Sequence, residues 1–276
     1  MHNYYMKIHH LIAASSCVRK HAAGSITCFH TQHKVNVSQN LRYFKTVSLY
    51  YVGTSKGALI HGNKSTVRQM TTAYSGEPGD GTLGLDKLKN NLPYKSTLTN
   101  GKLVEISAFE EHEWEHGMEL MNLVIREGKS WPFVDEFETV ESYRGYFLSH
   151  AAFVVRDGEN SRIMGCFYIK PNFPGRCSHI CNGGFITAPE YRRMGVATLM
   201  GRAFLKYAKE LGYKSSYFNL VFKSNDASVR LWEKLGFERI ATLESAAELN
   251  GVEGLDTAYG YRFDLDSLNK DFVIHL

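Results

Sequence analysis

A turn near residue 195 has the residue types that bind phosphate groups. Two arginines, a glycine and an alanine stand there directly before a predicted helix. The first N–H groups of a helix have no partner within it, and the helix dipole adds positive character at the same end. Small residues also let a ligand approach the backbone closely. The pattern therefore predicts a pyrophosphate site on the backbone amides of Arg192, Arg193, Met194, Gly195, Val196, Ala197 and Thr198.

Three asparagines are the candidates for binding a polar ligand. Asn182 lies in a predicted strand, where alternation places it on the same face as Ile180 and Gly184. Asn219 lies in another, between two apolar residues. An amide inside an apolar strand costs ~1–3 kcal/mol unless it is hydrogen-bonded, so Asn219 is expected to hold a partner or a ligand. Asn225 precedes a predicted helix, where it can cap the helix, contact a ligand, or do both.

A His-Glu-x-x-His pattern at residues 112–116 offers a rival chemistry. On a helix this pattern is the zinc-peptidase signature, and Glu136, Glu138 or Glu141 could supply a third ligand. The pattern fixes only three positions, however, and the whole predicted helix is rich in charge. We therefore favour the interpretation that this segment is a solvated helix face.

Cys177, His179 and Cys181 form a second possible metal set on one predicted strand. Zinc sites usually combine two such ligands with a second pair elsewhere, and no second pair stands at the required spacing. We therefore expect no metal. His179 is also the conventional choice for a catalytic base, but its neighbours supply no carboxylate to pair with it. Cys166 is interpreted as a small core residue.

The turn and two later segments of the chain together resemble a known protein family. Asn225-x-x-Ser228 and the block Leu231–Phe237 follow about thirty residues later. With the Arg192–Ala197 turn, they resemble the acetyl-CoA site of the GNAT family of N-acetyltransferases. A longer match, from Gly165 to about Leu265, resembles the fungal acetyltransferases that detoxify L-azetidine-2-carboxylate and related proline analogues. That match includes residues 165–172, 176–179, 181–182 and 218–222.

The resemblance implies acetyl-CoA as the co-substrate and a position for it. The pantetheine arm would lie between the strand Tyr217–Phe222 and the strand that ends at Phe185, Ile186 and Thr187. A backbone N–H near Phe185 or Ile186 would polarise the acetyl carbonyl, and Ser228 would complete the cofactor site.

The resemblance also assigns the asparagines. Asn182 and Asn219 would hold the carboxylate or ring of an amino-acid substrate, and Asn225 would lie near the thioester. Trp232, a further cofactor contact, stands near the position where many family members carry a tyrosine that protonates the CoA thiolate. An indole N–H is no useful acid. We therefore expect a water between the two strands to take the amine proton.

The predicted function is acetyl-CoA-dependent N-acetylation of L-azetidine-2-carboxylate and related cyclic secondary amino acids. By resemblance this would detoxify proline analogues, would protect against oxidative stress if a proline-pathway metabolite is the substrate, and would occur in a homodimer. The alternatives are N-acetylation of a polyamine or a protein N-terminus, and a CoA-binding sensor without activity. A polyamine site should gather carboxylates, whereas an amino-acid site needs amide or cationic partners. The three asparagines favour the amino acid.

These residues are positioned by a predicted α/β fold, the GNAT acyltransferase fold, with a mixed, mainly antiparallel sheet of about seven strands flanked by helices. Strands are predicted at residues 102–109, 151–155, 162–170, 178–187, 217–222, 238–243 and 257–263. Helices are predicted at residues 86–92, 110–126, 136–149, 195–211 and 226–235.

The chain begins with a basic segment. Its first 76 residues contain nine Lys or Arg, seven His and no Asp or Glu. We predict a leader at residues 1–75, which is a mitochondrial targeting segment or a disordered basic tail, and an N-acetyltransferase domain at residues 76–276. A nucleic-acid arm is a third interpretation of the leader, but we expect neither a nucleic-acid nor a membrane partner.

The five cysteines are too few and odd in number for a disulfide framework, which indicates a reducing compartment, mitochondrial or cytoplasmic.

Overall fold

An eight-stranded sheet forms the centre of the structure, a computed structural model that describes residues 76–269 and 271–274. Its strands are β1 (Tyr94–Thr97), β2 (Leu103–Ala108), β3 (Ala151–Asp157), β4 (Ile163–Pro171), β5 (Ile180–Thr187), β6 (Ser215–Phe222), β7 (Glu238–Glu248) and β8 (Leu255–Asp264). They lie in the order β1-β2-β3-β4-β5-β6-β8-β7. Every neighbouring pair is antiparallel except β5 and β6, which are parallel.

Four α-helices pack on this sheet. They are α1 (Trp114–Glu127), α2 (Val140–Tyr146), α3 (Val196–Glu210) and α4 (Asp226–Lys234). Local sequence sets their ends: Gly128 closes α1 in the left-handed conformation, and the Thr139 hydroxyl at the start of α2 accepts a hydrogen bond from Ser142 N–H. None of the helices in the described residues is long and apolar enough to span a membrane.

The core lies on both faces of β3 and β4. All of β3 is buried, and so is β4 up to its last residue. Phe153 and Tyr207 of α3 have ring centroids 5.1 Å apart on one face, and Phe147 at the end of α2 lies 5.0 Å from Tyr168 on the other. Strands covered on both faces are apolar throughout. For that reason residues 163–169 form a continuous apolar run rather than an alternating one.

The sheet opens between β5 and β6. These strands pair only at Ile180 with Ser215 and at Cys181 with Ser216. Beyond that point they diverge, while β5 remains paired with β4 along its whole length. The pairing of β6 with β8 is also irregular, between Phe218 and Val221. The divergence leaves a gap through the sheet, lined by the ends of β5 and β6.

The predicted fold class is confirmed, with several differences in its elements. The sheet has eight strands rather than about seven, because the short polar strand β1 pairs with β2 and has no apolar pattern of its own. A 3₁₀ turn at Leu85–Leu88 replaces the helix predicted at residues 86–92. The helix predicted at 136–149 is confined to α2, because Thr139 caps its start. Strand β7 continues to Glu248.

The segment with two cysteines and a histidine also differs from expectation. β5 begins at Ile180, so His179 precedes the strand and Cys177 lies in a short 3₁₀ helix. The three side chains therefore do not alternate along one strand face. Nowhere in residues 76–269 and 271–274 do three or more metal-ligating side chains come together.

The predicted leader, residues 1–75, lies outside the described residues. The described residues all belong to one compact unit. The division at residues 75/76 stays a prediction, as does the nature of the leader.

Candidate active site

The turn before α3 has the backbone geometry of an anion site. Arg193 and Gly195 both have positive φ, 67° and 92°. The first hydrogen bond of the helix runs from Leu199 N–H to the Gly195 carbonyl, at 3.0 Å. The amides of Val196, Ala197 and Thr198 therefore have no acceptor within the helix. They are available to an anion at the positive end of the helix dipole.

Arg192 has other partners at this turn. Its backbone N–H donates to the Pro189 carbonyl at 3.3 Å. Its guanidinium forms a two-pronged ion pair with Glu127 at the end of α1, with N–O distances of 2.8 and 3.0 Å. The free amides of the turn thus come from the residues after Arg192.

If this turn holds the pyrophosphate of the acetyl-CoA that the resemblance implies, replacing Gly195 with valine should raise the KM for acetyl-CoA about tenfold. A side chain with a positive φ is strained by about 1–2 kcal/mol, and relief of this strain would turn the free amides away from the phosphates. Steady-state kinetics at saturating acceptor would measure the change. Gly101→Val is the matched control, because Gly101 has a φ of 85° and nothing within 4 Å of an added Cβ. An unchanged KM in Gly195→Val would remove this turn from the cofactor site.

A cavity of about 130 Å³ occupies the gap between β5 and β6. Since a water molecule takes about 30 Å³ in the liquid, the cavity suits a small ligand. Its lining comes from both faces of the sheet, with Tyr168 on one face and Phe218 on the other. Six predicted site residues line it: Asn182, Phe185, Asn219, Asn225, Ser228 and Trp232. Ile186 and Thr187 follow on β5 outside the lining.

Two amide side chains offer unused donors to this cavity. Asn182 accepts a hydrogen bond from Gly183 N–H at 2.9 Å, and no acceptor within the described residues takes its Nδ2 protons. Asn219 forms a reciprocal pair with Asn172, in which the two N–O distances are 2.8 and 2.7 Å. Since an amide nitrogen carries two protons, Asn219 keeps one for a ligand. The two asparagines therefore form an uncharged site suited to a carboxylate.

Asn172 is a site residue to which sequence analysis gave no role. It directly follows β4 and is 3% exposed. Its main-chain N–H donates to the Ile180 carbonyl, which fixes it opposite the start of β5. Asn172 thereby sets the orientation of the Asn219 amide.

Residues at the start of α4 also line the cavity. The Asn225 side chain accepts a hydrogen bond from Ser228 N–H at 3.2 Å, so it is a helix cap that also faces the cavity. Trp232 donates its indole N–H to the Ser228 hydroxyl at 2.9 Å. Its ring packs against Phe185 and Phe218, with centroids 4.8 and 4.7 Å away. Trp232 is therefore a packed wall, and its single proton donor is already used.

Aromatic rings and a buried cation form the remaining wall. An added Cβ at Gly184 would lie 2.3 Å from the Trp131 ring, so only glycine lets that indole rest on β5. The hydroxyls of Tyr146 and Tyr168 lie 3.0 Å apart. Behind them, Lys170 is 1% exposed and donates from Nζ to the Tyr146 carbonyl at 2.7 Å. Burial lowers the pKa of Lys170 to about 7.

The zinc-peptidase alternative is wrong for residues 112–116. Glu113, which would be its catalytic base, is 5% exposed and accepts two hydrogen bonds from the Arg156 guanidinium, at 2.7 and 2.6 Å. The side chains of His112 and His116 are 74% and 50% exposed and lie beside Glu110 and Glu119 instead. The pattern is thus an exposed helix start anchored by one buried ion pair.

A second, larger cavity of about 620 Å³ lies beside the first. Tyr146 lines both cavities. The second is acidic, because Asp135, Glu136, Glu138 and Glu141 all line it. Arg126 pairs with Glu136 at its edge. Carboxylates of this kind suit a cationic ligand.

The residues of this site lie within a stretch that is similar to known proteins. Residues 113–237 match the Acetyltransferase (GNAT) family. The N-acetyltransferase aca1 of Schizosaccharomyces pombe is 50% identical over 106 residues, which are 38% of this chain and 51% of that protein. Protein SPT10 of Saccharomyces cerevisiae is 34% identical over 107 residues, which are 39% of this chain and 17% of that protein. The chain therefore spans about half or less of the length of these relatives.

Solved structures show the same fold. A GCN5-related N-acetyltransferase from Kribbella flavida has a TM-score of 0.55 at 22% identity, covering 58% of this chain and 97% of that one. The acetyltransferase yncA of Salmonella typhimurium, solved with its cofactor acetyl-CoA, has a TM-score of 0.53 at 14% identity, covering 60% and 96%.

Proposed function

We propose that this chain carries a GNAT acetyltransferase domain, and that it transfers the acetyl group of acetyl-CoA to the ring nitrogen of a small cyclic secondary amino acid such as L-azetidine-2-carboxylate. One observation carries the choice of acceptor. The small cavity between β5 and β6 presents unused amide donors from Asn182 and Asn219 and is lined by no carboxylate.

The cavity can meet the requirements of acetyl transfer to an amine. The thioester must lie beside the nitrogen, and the tetrahedral oxyanion must be stabilised. Pantetheine would enter between the diverging strands, with its pyrophosphate on the amides of residues 193–198. The unpaired edge of β5 at Phe185–Thr187 would then direct a backbone N–H towards the acetyl carbonyl.

The acceptor would bind at the opposite face of the gap. Its carboxylate would receive hydrogen bonds from Asn182 and Asn219, and its ring would lie against the aromatic wall formed by Trp131 and Tyr168. Hydrogen bonds from a neutral amide to a charged group contribute about 1.5–3 kcal/mol each. Asn225 lies where the start of α4 lines the cavity. We therefore place its side chain close to the thioester of the bound cofactor.

Thiol release from acetyl-CoA by the full chain tests this proposal. L-Azetidine-2-carboxylate, cis-4-hydroxyproline, proline and spermidine should be compared side by side. We expect turnover with the first two and little with spermidine. Turnover with spermidine alone would contradict the amino-acid acceptor while leaving acetyl transfer intact. Tight CoA binding without turnover on any amine would instead support a CoA-binding sensor.

The acidic cavity favours a second candidate, a cationic acceptor such as a polyamine or a protein N-terminus. Its four carboxylates lie beside the Tyr146 wall of the first cavity. Glu138→Gln distinguishes the two candidates, since it should weaken a cationic acceptor and leave an amino acid unaffected.

The biological setting is also part of the proposal. Acetylation removes the charge and nucleophilicity of the ring nitrogen, so an acetylated analogue can no longer replace proline in translation. Such an enzyme would confer resistance to the analogue, and protection against oxidative stress if it consumes a proline-pathway metabolite. The acid-free leader supports a mitochondrial location, and the subgroup resemblance supports a homodimer.

A further inference from the structure

The ammonium group of Lys170 is buried without an acidic side chain beside it. Lys170 is 1% exposed, and in the described part of the chain its Nζ forms no ion pair with a carboxylate. A buried charge is strongly unfavourable unless it is paired and hydrogen-bonded. Its main-chain acceptor, the Tyr146 carbonyl, neutralises no charge. Burying Lys170 without a balancing charge is costly, which suggests that this lysine has a functional role.

Two phenol rings surround this cation on the side of the cavity. Nζ lies 4.0 Å from the ring centroid of Tyr146 and 4.4 Å from that of Tyr168. The two hydroxyls form one buried hydrogen bond of 3.0 Å. Both tyrosines line the cavity that holds the two amide donors. The cation thus contacts the rings of two tyrosines that line the cavity of the proposed acceptor.

We propose that the Tyr146–Tyr168 hydroxyl pair accepts the proton of the acceptor amine, and that Lys170 is the positioning residue whose charge stabilises a phenolate on that pair. This inference rests on the proposed N-acetyltransferase function. It replaces the water that the sequence alone led us to expect as the proton acceptor.

The proposed acetyl transfer proceeds in three steps, in which each proton has a defined acceptor. The ring ammonium of the acceptor gives one proton to the phenolate, leaving a neutral secondary amine and a neutral phenol. The nitrogen lone pair attacks the acetyl carbon, so a C–N bond forms and the C–S bond then breaks. The second nitrogen proton leaves with the CoA thiolate to give the thiol, and the phenol returns its proton to solvent before the next turnover.

The titratable groups around Lys170 agree with this assignment. Burial lowers the pKa of Lys170 to about 7, and a phenolate beside the ammonium would offset this effect by stabilising the charged form of the lysine. His150 before β3 also faces the ammonium; burial and the charge of Lys170 lower the pKa of His150 to about 4, so it is neutral at pH 7. Asn182, the register partner of Lys170 on β5, does not titrate. Tyr146 and Tyr168, whose rings contact Nζ, are the groups to which the proposal assigns the balancing charge.

The pH dependence of kcat/KM tests the role of Lys170. The base is active when deprotonated, so activity should rise with pH through the pKa of the cluster. Lys170→Met removes the cation, which raises the phenol pKa and should move the rising limb to higher pH by roughly one to three units. Lys170→Arg should keep the limb near its wild-type position. Lys95→Met is the surface control, and an unmoved limb in Lys170→Met would overturn the proposal.

Ultraviolet difference absorbance of tyrosinate gives a readout that needs no turnover. With CoA bound, the wild-type protein should form tyrosinate at a lower pH than Lys170→Met, and the early step should be lost in Tyr146→Phe or Tyr168→Phe. Thermal unfolding would verify that each variant is folded. Tyrosinate that forms only at the alkaline pH of ordinary tyrosines would overturn the proposal. If no amine is acetylated, the proposed function fails, but the absorbance titration still decides whether the cluster ionises as inferred.

Discussion

Asn219→Ala should lower kcat/KM for the amino-acid acceptor about a hundredfold, with little change in the KM for acetyl-CoA. A hundredfold loss corresponds to about 2.7 kcal/mol at 1.36 kcal/mol per factor of ten. One lost hydrogen bond to a carboxylate contributes about 1.5–3 kcal/mol, and misplacement of the nitrogen adds to it. Steady-state kinetics with L-azetidine-2-carboxylate or cis-4-hydroxyproline would measure the effect.

Asn172→Ala shows whether Asn219 acts by binding the ligand or only by packing. Both substitutions break the half-buried Asn172–Asn219 pair, so both should lower the free energy of unfolding by about 1–3 kcal/mol. Asn219→Ala alone removes the donor that faces the cavity, so its activity loss should be much larger. Asn90→Ala, at an exposed position before β1, is the neutral control. Equal activity losses in the two pair variants would mean that Asn219 acts only through packing.

Arg156→Met should lower the free energy of unfolding by about 3–5 kcal/mol. The substitution leaves Glu113 buried at 5% exposure without its cation, and removal of one partner from a buried ion pair has this cost. Urea denaturation followed by circular dichroism would measure it. Arg162→Met, at an exposed position in the following turn, should change stability by less than about 0.5 kcal/mol.

The double variant Arg156→Met/Glu113→Leu makes this test specific. Replacing both partners with apolar side chains removes the unpaired charge, so most of the lost stability should return. Acetyl transfer by Arg156→Met should persist below its unfolding transition, and a zinc chelator should have no effect on it. A double variant as unstable as Arg156→Met would show that Arg156 stabilises the fold through other contacts, such as its hydrogen bond to the Ala108 carbonyl.

The elements around the turn before α3 were predictable because local chemistry determines them. The α3 start at Gly195 and the Asn225 cap of α4 each depend on residues adjacent in sequence. Strands β3 and β4 were also predicted correctly, from apolar runs separated by a turn. The short strand β1 was missed, because its pairing with β2 and not its own composition makes it a strand.

The partners of the site residues could not be predicted in the same way. Asn172 lies 47 positions from Asn219, and nothing in either segment indicates their hydrogen bond. Lys170 did carry a signal, since a lysine directly after the apolar run Cys166–Ile169 must either reach solvent or be buried with partners. The parallel pairing of β5 with β6 and their divergence are set by tertiary packing. That gap determines which side chains meet.

A crystal structure of the full chain with CoA and cis-4-hydroxyproline would test the central claim most directly. We expect the carboxylate within hydrogen-bonding distance of the Nδ2 atoms of Asn182 and Asn219. The ring nitrogen should point towards the CoA sulfur, and the pyrophosphate should lie on the amides of residues 193–198. An amino acid bound in the acidic cavity lined by Glu138 and Glu141, or a pyrophosphate away from the start of α3, would contradict the account.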